Sequence, residues 1–137
     1  MNNNKTVFFA TGVLLLILGA FMLIPFFVQF LYDEESNTFL SSASITAFIG
    51  MLLVLTNLED EKKLNLQQAF LLTTLSWLSI AIFGCIPFLL SGLNLSFVDA
   101  FFESMSGITT TGSTIMPNLD NAPKSILKWR ALLQWLG

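Results

Sequence analysis

Hydrophobic residues run together along this chain, and the charged ones stand at the gaps between the runs. Uncharged stretches of 27, 23 and 35 residues separate Lys5 from Asp33, Glu35 from Glu59, and Lys63 from Asp99. A bilayer's hydrocarbon core is about 30 Å thick and takes roughly 20 helical residues to cross. A helix is suited to that crossing because it satisfies its own backbone, which hydrocarbon does not. The pattern predicts three spans, at 7–31, 44–58 and 69–90. In the first, Thr11 and Gln29 are the only clearly polar members, and Pro25 is placed to kink it. A secretory signal is the competing reading, with Lys5 as its positive start. Its apolar core would be about 7–15 residues, and this run is far longer. The second run reaches spanning length only by drawing in Ser41, Ser42, Ala43 and Ser44, as a tilted or partly buried helix would.

Loop charges orient these spans. Lys5 precedes the first and Lys62 and Lys63 follow the second, whereas the connection between them carries Asp33, Glu34 and Glu35 without a base. Lys and Arg mark the cytoplasmic side, so the N-terminus and residues 59–68 are expected there. Lys124, Lys128 and Arg130 then fall on the outer side if residues 97–119 do not cross, against the charge rule. Either this topology is wrong or something unusual lies between Ser91 and Lys128.

The texture changes from Leu95 onwards. Ser96 followed by Asp99 resembles a capping box with Asp for Glu, and it predicts a helix over 98–107. Ten helical residues reach about 15 Å, half a bilayer. Gly107 ends the run and Pro117 blocks its continuation. Next come Ile108, Thr109, Thr110, Thr111, Gly112, Ser113 and Thr114, β-branched and hydroxyl residues that suit an extended strand better than a helix end. Inside a membrane, such backbone is tolerated where protein surrounds it or its carbonyls line an ion path. The residues alone leave two readings open: a cation filter, or a Ser/Thr/Gly packing surface or ordinary loop.

The run from Phe101 to Ser113 resembles the first pore loop of the Trk/Ktr/HKT superfamily of potassium transporters. The run from Ser125 to Gly137 resembles the stretch that opens the next helix, most nearly in the TrkH-like branch. The likeness is specific over 64–137; the two preceding spans match that branch's extra helix pair in generic composition only. The resemblance implies an all-α membrane protein, with transmembrane helices plus a re-entrant pore helix and an extended selectivity-filter strand. Its divisions would be an N-terminal helix pair, 1–63, and a truncated first membrane–pore–membrane repeat, 64–137, the chain being an N-terminal fragment. Potassium would be the substrate, moving across the bacterial cytoplasmic (inner) membrane, with no cofactor. The carbonyls of Thr109, Thr110, Thr111 and Gly112 are the expected ion ligands, and Glu103 and Ser113 support them. Gly112 matches the family's filter glycine, where serine in the plant branch accompanies sodium preference. Expected partners are three further repeats, a second copy in a homodimer, a cytosolic nucleotide-binding regulatory subunit and membrane lipid. The alternative is a non-transporting truncated protein or assembly module in which the Thr/Gly stretch only packs.

Composition narrows the remaining classes. Hydrophobic residues make up 54% and charged ones 11%, where a soluble domain carries about 25% charged. Net charge is −3, which leaves no basic face for nucleic acid. With one cysteine and no histidine, the chain has neither a disulfide framework nor the usual zinc or haem ligands. No nucleophile–base set or catalytic motif is present, so an enzyme is not expected.

Glu103 is expected as a buried brace for the filter or as a charge near outer water, and Asp99 as a helix N-terminal charge. Trp129 and Arg130 are expected as interface anchors; Trp135 is read as interfacial or packed, and Cys85 as a small core residue. Asp33, Glu34, Glu35 and Asp120 read as solvated loop acids.

Overall fold

The computed structural model describes residues 4–34, 37–58, 63–116 and 119–137. The first uncharged stretch folds as α1 (Lys5–Phe21) and α2 (Leu23–Leu31), parted at Met22. Pro25 accounts for the break. It has no N–H for the Phe21 carbonyl one turn back, and its ring crowds that oxygen. The second stretch forms α3 (Thr38–Thr56), which starts six residues before the expected boundary. Its serines enter the helix because their hydroxyls bond to carbonyls one turn back: Ser42 Oγ to Thr38 O at 2.7 Å and Ser44 Oγ to Leu40 O at 2.8 Å.

The third stretch forms α4 (Leu66–Gly84) and α5 (Ile86–Leu89). A full capping box opens α4: Gln68 N donates to Asn65 Oδ1 at 2.8 Å, and Asn65 N donates to Gln68 Oε1 at 3.0 Å. Pro87 interrupts this span at Cys85 as Pro25 interrupts the first, by leaving the Phe83 carbonyl without its donor. Lys5–Leu31, Thr38–Thr56 and Leu66–Leu89 are each long and apolar enough to cross a membrane.

Helix α1 lies against α3 and α4, and α2 lies against α3 and α7 (Lys124–Leu136). The α1–α3 crossing is close. A Cβ added to Gly12 would sit 2.8 Å from Gly50 O, and one added to Gly50 would sit 2.9 Å from Gly12 O. Two glycines therefore let the backbones touch, the usual basis of tight helix association in lipid. Large apolar side chains such as Phe27, Phe48 and Phe70 face outward. Such a surface belongs against lipid or other protein.

At one end of the bundle, the end of α5 meets the start of α3, where Thr38 Oγ1 donates to Leu90 O at 3.1 Å. Helix α6 (Phe97–Ile108) follows from there. Ser96 caps it as expected, its Oγ accepting from Asp99 N at 3.2 Å. Its 12 residues span about 18 Å, so it stops part-way through the bundle, with Ile108 beside Ile80 and Leu136. The chain then returns through a loop and a short 3-10 turn, Leu119–Asn121, to the start of α7.

One expectation is corrected here. The described residues contain helices and loops but no β-strand, so the fold is an all-α helical bundle without an extended filter strand. Hydrogen bonding explains the difference. The N–H groups of Thr109, Thr110, Thr111 and Gly112 all turn back to α6, to the carbonyls of Met105, Gly107, Ser106 and Ser106. Thr110 at φ 58° and Gly112 at φ 77° are left-handed, which breaks any extended run. β-branching favours a strand only where a neighbouring strand accepts its N–H groups.

Candidate ion-binding loop

Helix α6 carries its one buried charge into the bundle. Glu103 is fully buried, and its carboxylate collects donors from the returning limb of the loop. Thr114 Oγ1 donates to Oε1 at 2.6 Å, Ile115 N at 2.7 Å and Met116 N at 3.3 Å. Its other oxygen, Oε2, lies 3.4 Å from Arg130 Nε in an ion pair. A charge in this setting is costly unless its lone pairs and its countercharge are supplied, and both are. The base comes from α7 of the same chain.

Arg130 reaches further. Its Nη2 donates to Gly112 O at 2.6 Å, so one guanidinium ties the Glu103 carboxylate to the turn of the loop. Beside it, Ser106 Oγ donates to Ser113 O at 2.6 Å. The loop is therefore pinned at Gly112, Ser113, Thr114, Ile115 and Met116. Thr109, Thr110 and Thr111 differ. Their side chains are exposed, and among the described residues their carbonyls accept no hydrogen bond. Thr109 Oγ1 donates to Met105 O at 2.7 Å and lies 2.9 Å from Thr111 Oγ1. A pocket of about 200 Å³ opens here, lined by Phe102, Met105, Ser106, Thr109, Thr111 and Ser113.

The electrostatics suit a cation. Unbonded carbonyls carry partial negative charge, and the C-terminal end of α6 adds its own. Arg130 would oppose this, but Glu103 offsets its charge at 3.4 Å. Among the described residues no three His, Cys, Asp or Glu side chains gather. The oxygens on offer at Thr109–Thr111 are neutral carbonyls and hydroxyls, the ligand type that replaces the water shell of a monovalent cation.

Of the residues singled out in the sequence, Glu103, Gly112, Ser113 and Arg130 come together. Trp129, expected as an interface anchor, is fully buried: its indole N–H donates to Gly84 O at 2.9 Å, and its ring meets Phe39 edge-on at 6.0 Å. Arg130, expected beside it at the interface, is instead mostly covered and faces Glu103. Cys85 is buried, with Sγ 2.9 Å from Ile82 O. Sequence reasoning did not single out Ser106 as a contact or Arg130 as the partner of Glu103. The signal for the second was available, since a buried carboxylate requires a cation and Arg130 is one of only six bases. Glu35 and Pro117 lie outside the described residues.

Comparison with known proteins supplies the context of this loop. The model of the TrkH family, described as cation transport protein, matches residues 34–137. The chain is 41% identical over 127 residues to an uncharacterized cation transporter of Methanocaldococcus jannaschii, covering 92% of this chain and 26% of that protein. It is 37% identical over 128 residues to the Trk system potassium uptake protein TrkH of Escherichia coli, again covering 92% and 26%. Its fold superposes on the crystal structure of the potassium transporter TrkH from Vibrio parahaemolyticus with a TM-score of 0.92 at 35% identity, over 99% of this chain and 29% of that one. The chain thus spans about a quarter of the length of the curated relatives it matches.

Proposed function

Because the chain belongs to the TrkH family of cation transport proteins, we propose that it supplies the first filter segment of a four-repeat pore for potassium uptake. The observation that carries this reading is the contrast within the loop. The carbonyls of Thr109, Thr110 and Thr111 accept no hydrogen bond among the described residues, while side chains pin residues 112–116. Carbonyls held in place but left unbonded are what an ion needs when it exchanges water for protein oxygen. Gly112 O is the fourth ligand of the set, shared with Arg130. Glu103 supports the filter through its bonds to Thr114, Ile115 and Met116, and Ser113 through its bond from Ser106. The exposure of the three threonines also favours a ligand role over packing within this chain.

In this proposal residues 1–63 form an N-terminal helix pair and 64–137 the first repeat. Three further repeats, a second copy and a cytosolic nucleotide-binding regulatory subunit complete the transporter. It lies in the cytoplasmic (inner) membrane of a bacterium, with Lys5, Lys62 and Lys63 on the cytoplasmic side. Transport of this kind makes and breaks no covalent bond, so no catalytic residue or cofactor is assigned; potassium is the substrate.

Potassium-dependent growth of an uptake-deficient bacterium tests the reading. A full-length protein carrying this region is expected to restore growth at low potassium, and Gly112→Ser is expected to weaken discrimination against sodium. A Cβ at Gly112 finds its nearest neighbour, Gln134 Nε2, at 3.6 Å, so the serine fits sterically and acts through the φ of 77°. Unaltered ion preference in the serine variant would remove Gly112 from the filter.

A further inference from the structure

Helix α7 begins after Pro123, and no side chain from its own approach caps it. The first N–H groups of a helix have no partner inside it and need one elsewhere. Here the partner comes from 91 residues away. Glu34 Oε1 accepts from Ser125 N at 3.3 Å, and Glu34 Oε2 accepts from Ser125 Oγ, with Ser125 fully buried. A carboxylate at the positive end of a helix is also favoured by the helix dipole.

The chain is shaped to deliver that carboxylate. Helix α2 ends in a Schellman turn, in which Glu34 N donates to Gln29 O at 2.9 Å and Asp33 N to Phe30 O at 3.4 Å. Asp33 takes the left-handed position, φ 50°, that glycine usually fills. The backbone of Glu34 is thereby held while its side chain bridges to α7. Five residues on from Ser125, about 7.5 Å along the helix, stands Arg130. Between them Trp129 is fixed to Gly84 O. The axial position of α7 therefore sets where Arg130 meets both Glu103 and Gly112 O.

We infer that Glu34 is a positioning residue: by capping α7 from the N-terminal helix pair, it sets Arg130's grip on Gly112 and so shapes the ion-binding loop. This rests on the potassium-transport reading of that loop. The N-terminal pair then does more than anchor the chain in lipid; it fixes the start of the helix that holds the loop.

The test uses the full-length protein carrying this region, with potassium and sodium uptake measured at equal membrane abundance. Glu34→Ala is expected to raise the apparent KM for potassium roughly three- to tenfold, within the range a lost helix cap spans, with Vmax per molecule little changed. Glu34→Gln, which keeps one acceptor oxygen, is expected to fall between alanine and wild type. Ser125→Ala is expected to move KM the same way, and the Glu34→Ala, Ser125→Ala double variant to add less than the sum. A merely structural role would lower the amount of protein or Vmax and leave KM and ion preference alone. That pattern in Glu34→Ala would overturn the inference; where the alanine variant does not accumulate, the same pattern in Glu34→Gln would do so. A wild-type protein without potassium uptake would overturn the transport reading and this inference with it. Wild-type uptake with an unmoved KM in the variants would overturn this inference alone.

Discussion

The crossing of α1 with α3 and the pairing of α6 with α7 solve opposite problems. At the first, every backbone group is used inside its own helix, the serine hydroxyls bond to carbonyls one turn back, and Gly12 and Gly50 let the helices touch. The polar contact across it is slight, Thr46 Oγ1 donating to the Met22 sulfur at 3.8 Å, so packing does most of the holding. At the second, the backbone leaves the helix at Thr109, and side chains must hold the loop beyond it. Glu103, Arg130 and Ser106 do so, through an ion pair and directed hydrogen bonds. An apolar crossing tolerates exchange of one well-packed set for another, whereas the loop depends on particular donors and acceptors. The difference explains why the buried Glu103 and its partner Arg130 sit beside the loop where the backbone leaves α6.

That contrast is open to direct attack. Glu103→Ala is expected to have the largest effect, because it strands Arg130 and removes the acceptor shared by Thr114, Ile115 and Met116. Breaking a buried pair by deleting one partner costs about 3–5 kcal/mol, so the variant should accumulate poorly and unfold at lower temperature in detergent. Replacing both charges, Glu103→Gln with Arg130→Met, should recover part of that stability while ion preference stays impaired. Full recovery of both would mean that the pair does not shape the loop.

Next in size is Gly50→Leu. Its Cβ alone would meet Gly12 O at 2.9 Å, so α1 and α3 must separate. Overpacking of this kind costs about 1–3 kcal/mol. A thermal-shift measurement should register the loss, with potassium-to-sodium preference unchanged; altered preference would show that the crossing and the loop are coupled more closely than their contacts indicate. The smallest effect is expected from Thr110→Gly. A β-branched residue at φ 58° carries strain that glycine relieves, against the entropy glycine loses on folding. The net gain should be at most about 1 kcal/mol in thermal stability. A clear loss would mean that the Thr110 side chain, exposed within this chain, has a partner in the assembled protein.

The three spans and the cap of α6 were readable from the chain because their signals are local. A charge-free run of spanning length and a Ser96 three residues before Asp99 act within a few turns of themselves. The start of α4 was equally readable from Asn65 and Gln68, yet the apolar run drew the expected boundary three residues too late. The threonines were misread as a strand for a different reason. β-propensity describes a residue with neighbours to pair with, and here the N–H groups of residues 109–112 found α6 carbonyls first. Trp129 and Trp135 show the same limit. They stand six apart in one helix, and one is fully buried on Phe39 while the other is largely exposed.

By itself, then, the sequence determined the membrane class, the number of spans, the cap that begins α6 and the family to which the loop belongs. Each depends on residue type and short spacing, measured against the thickness of a bilayer or the pitch of a helix. Tertiary structure decided the rest: that Arg130 answers Glu103 across 27 residues, that Gly84 receives Trp129 across 45, and that Glu34 caps Ser125 across 91. Sequence spacing carries no such pairing, because two side chains so far apart meet only once the helices between them have chosen their neighbours.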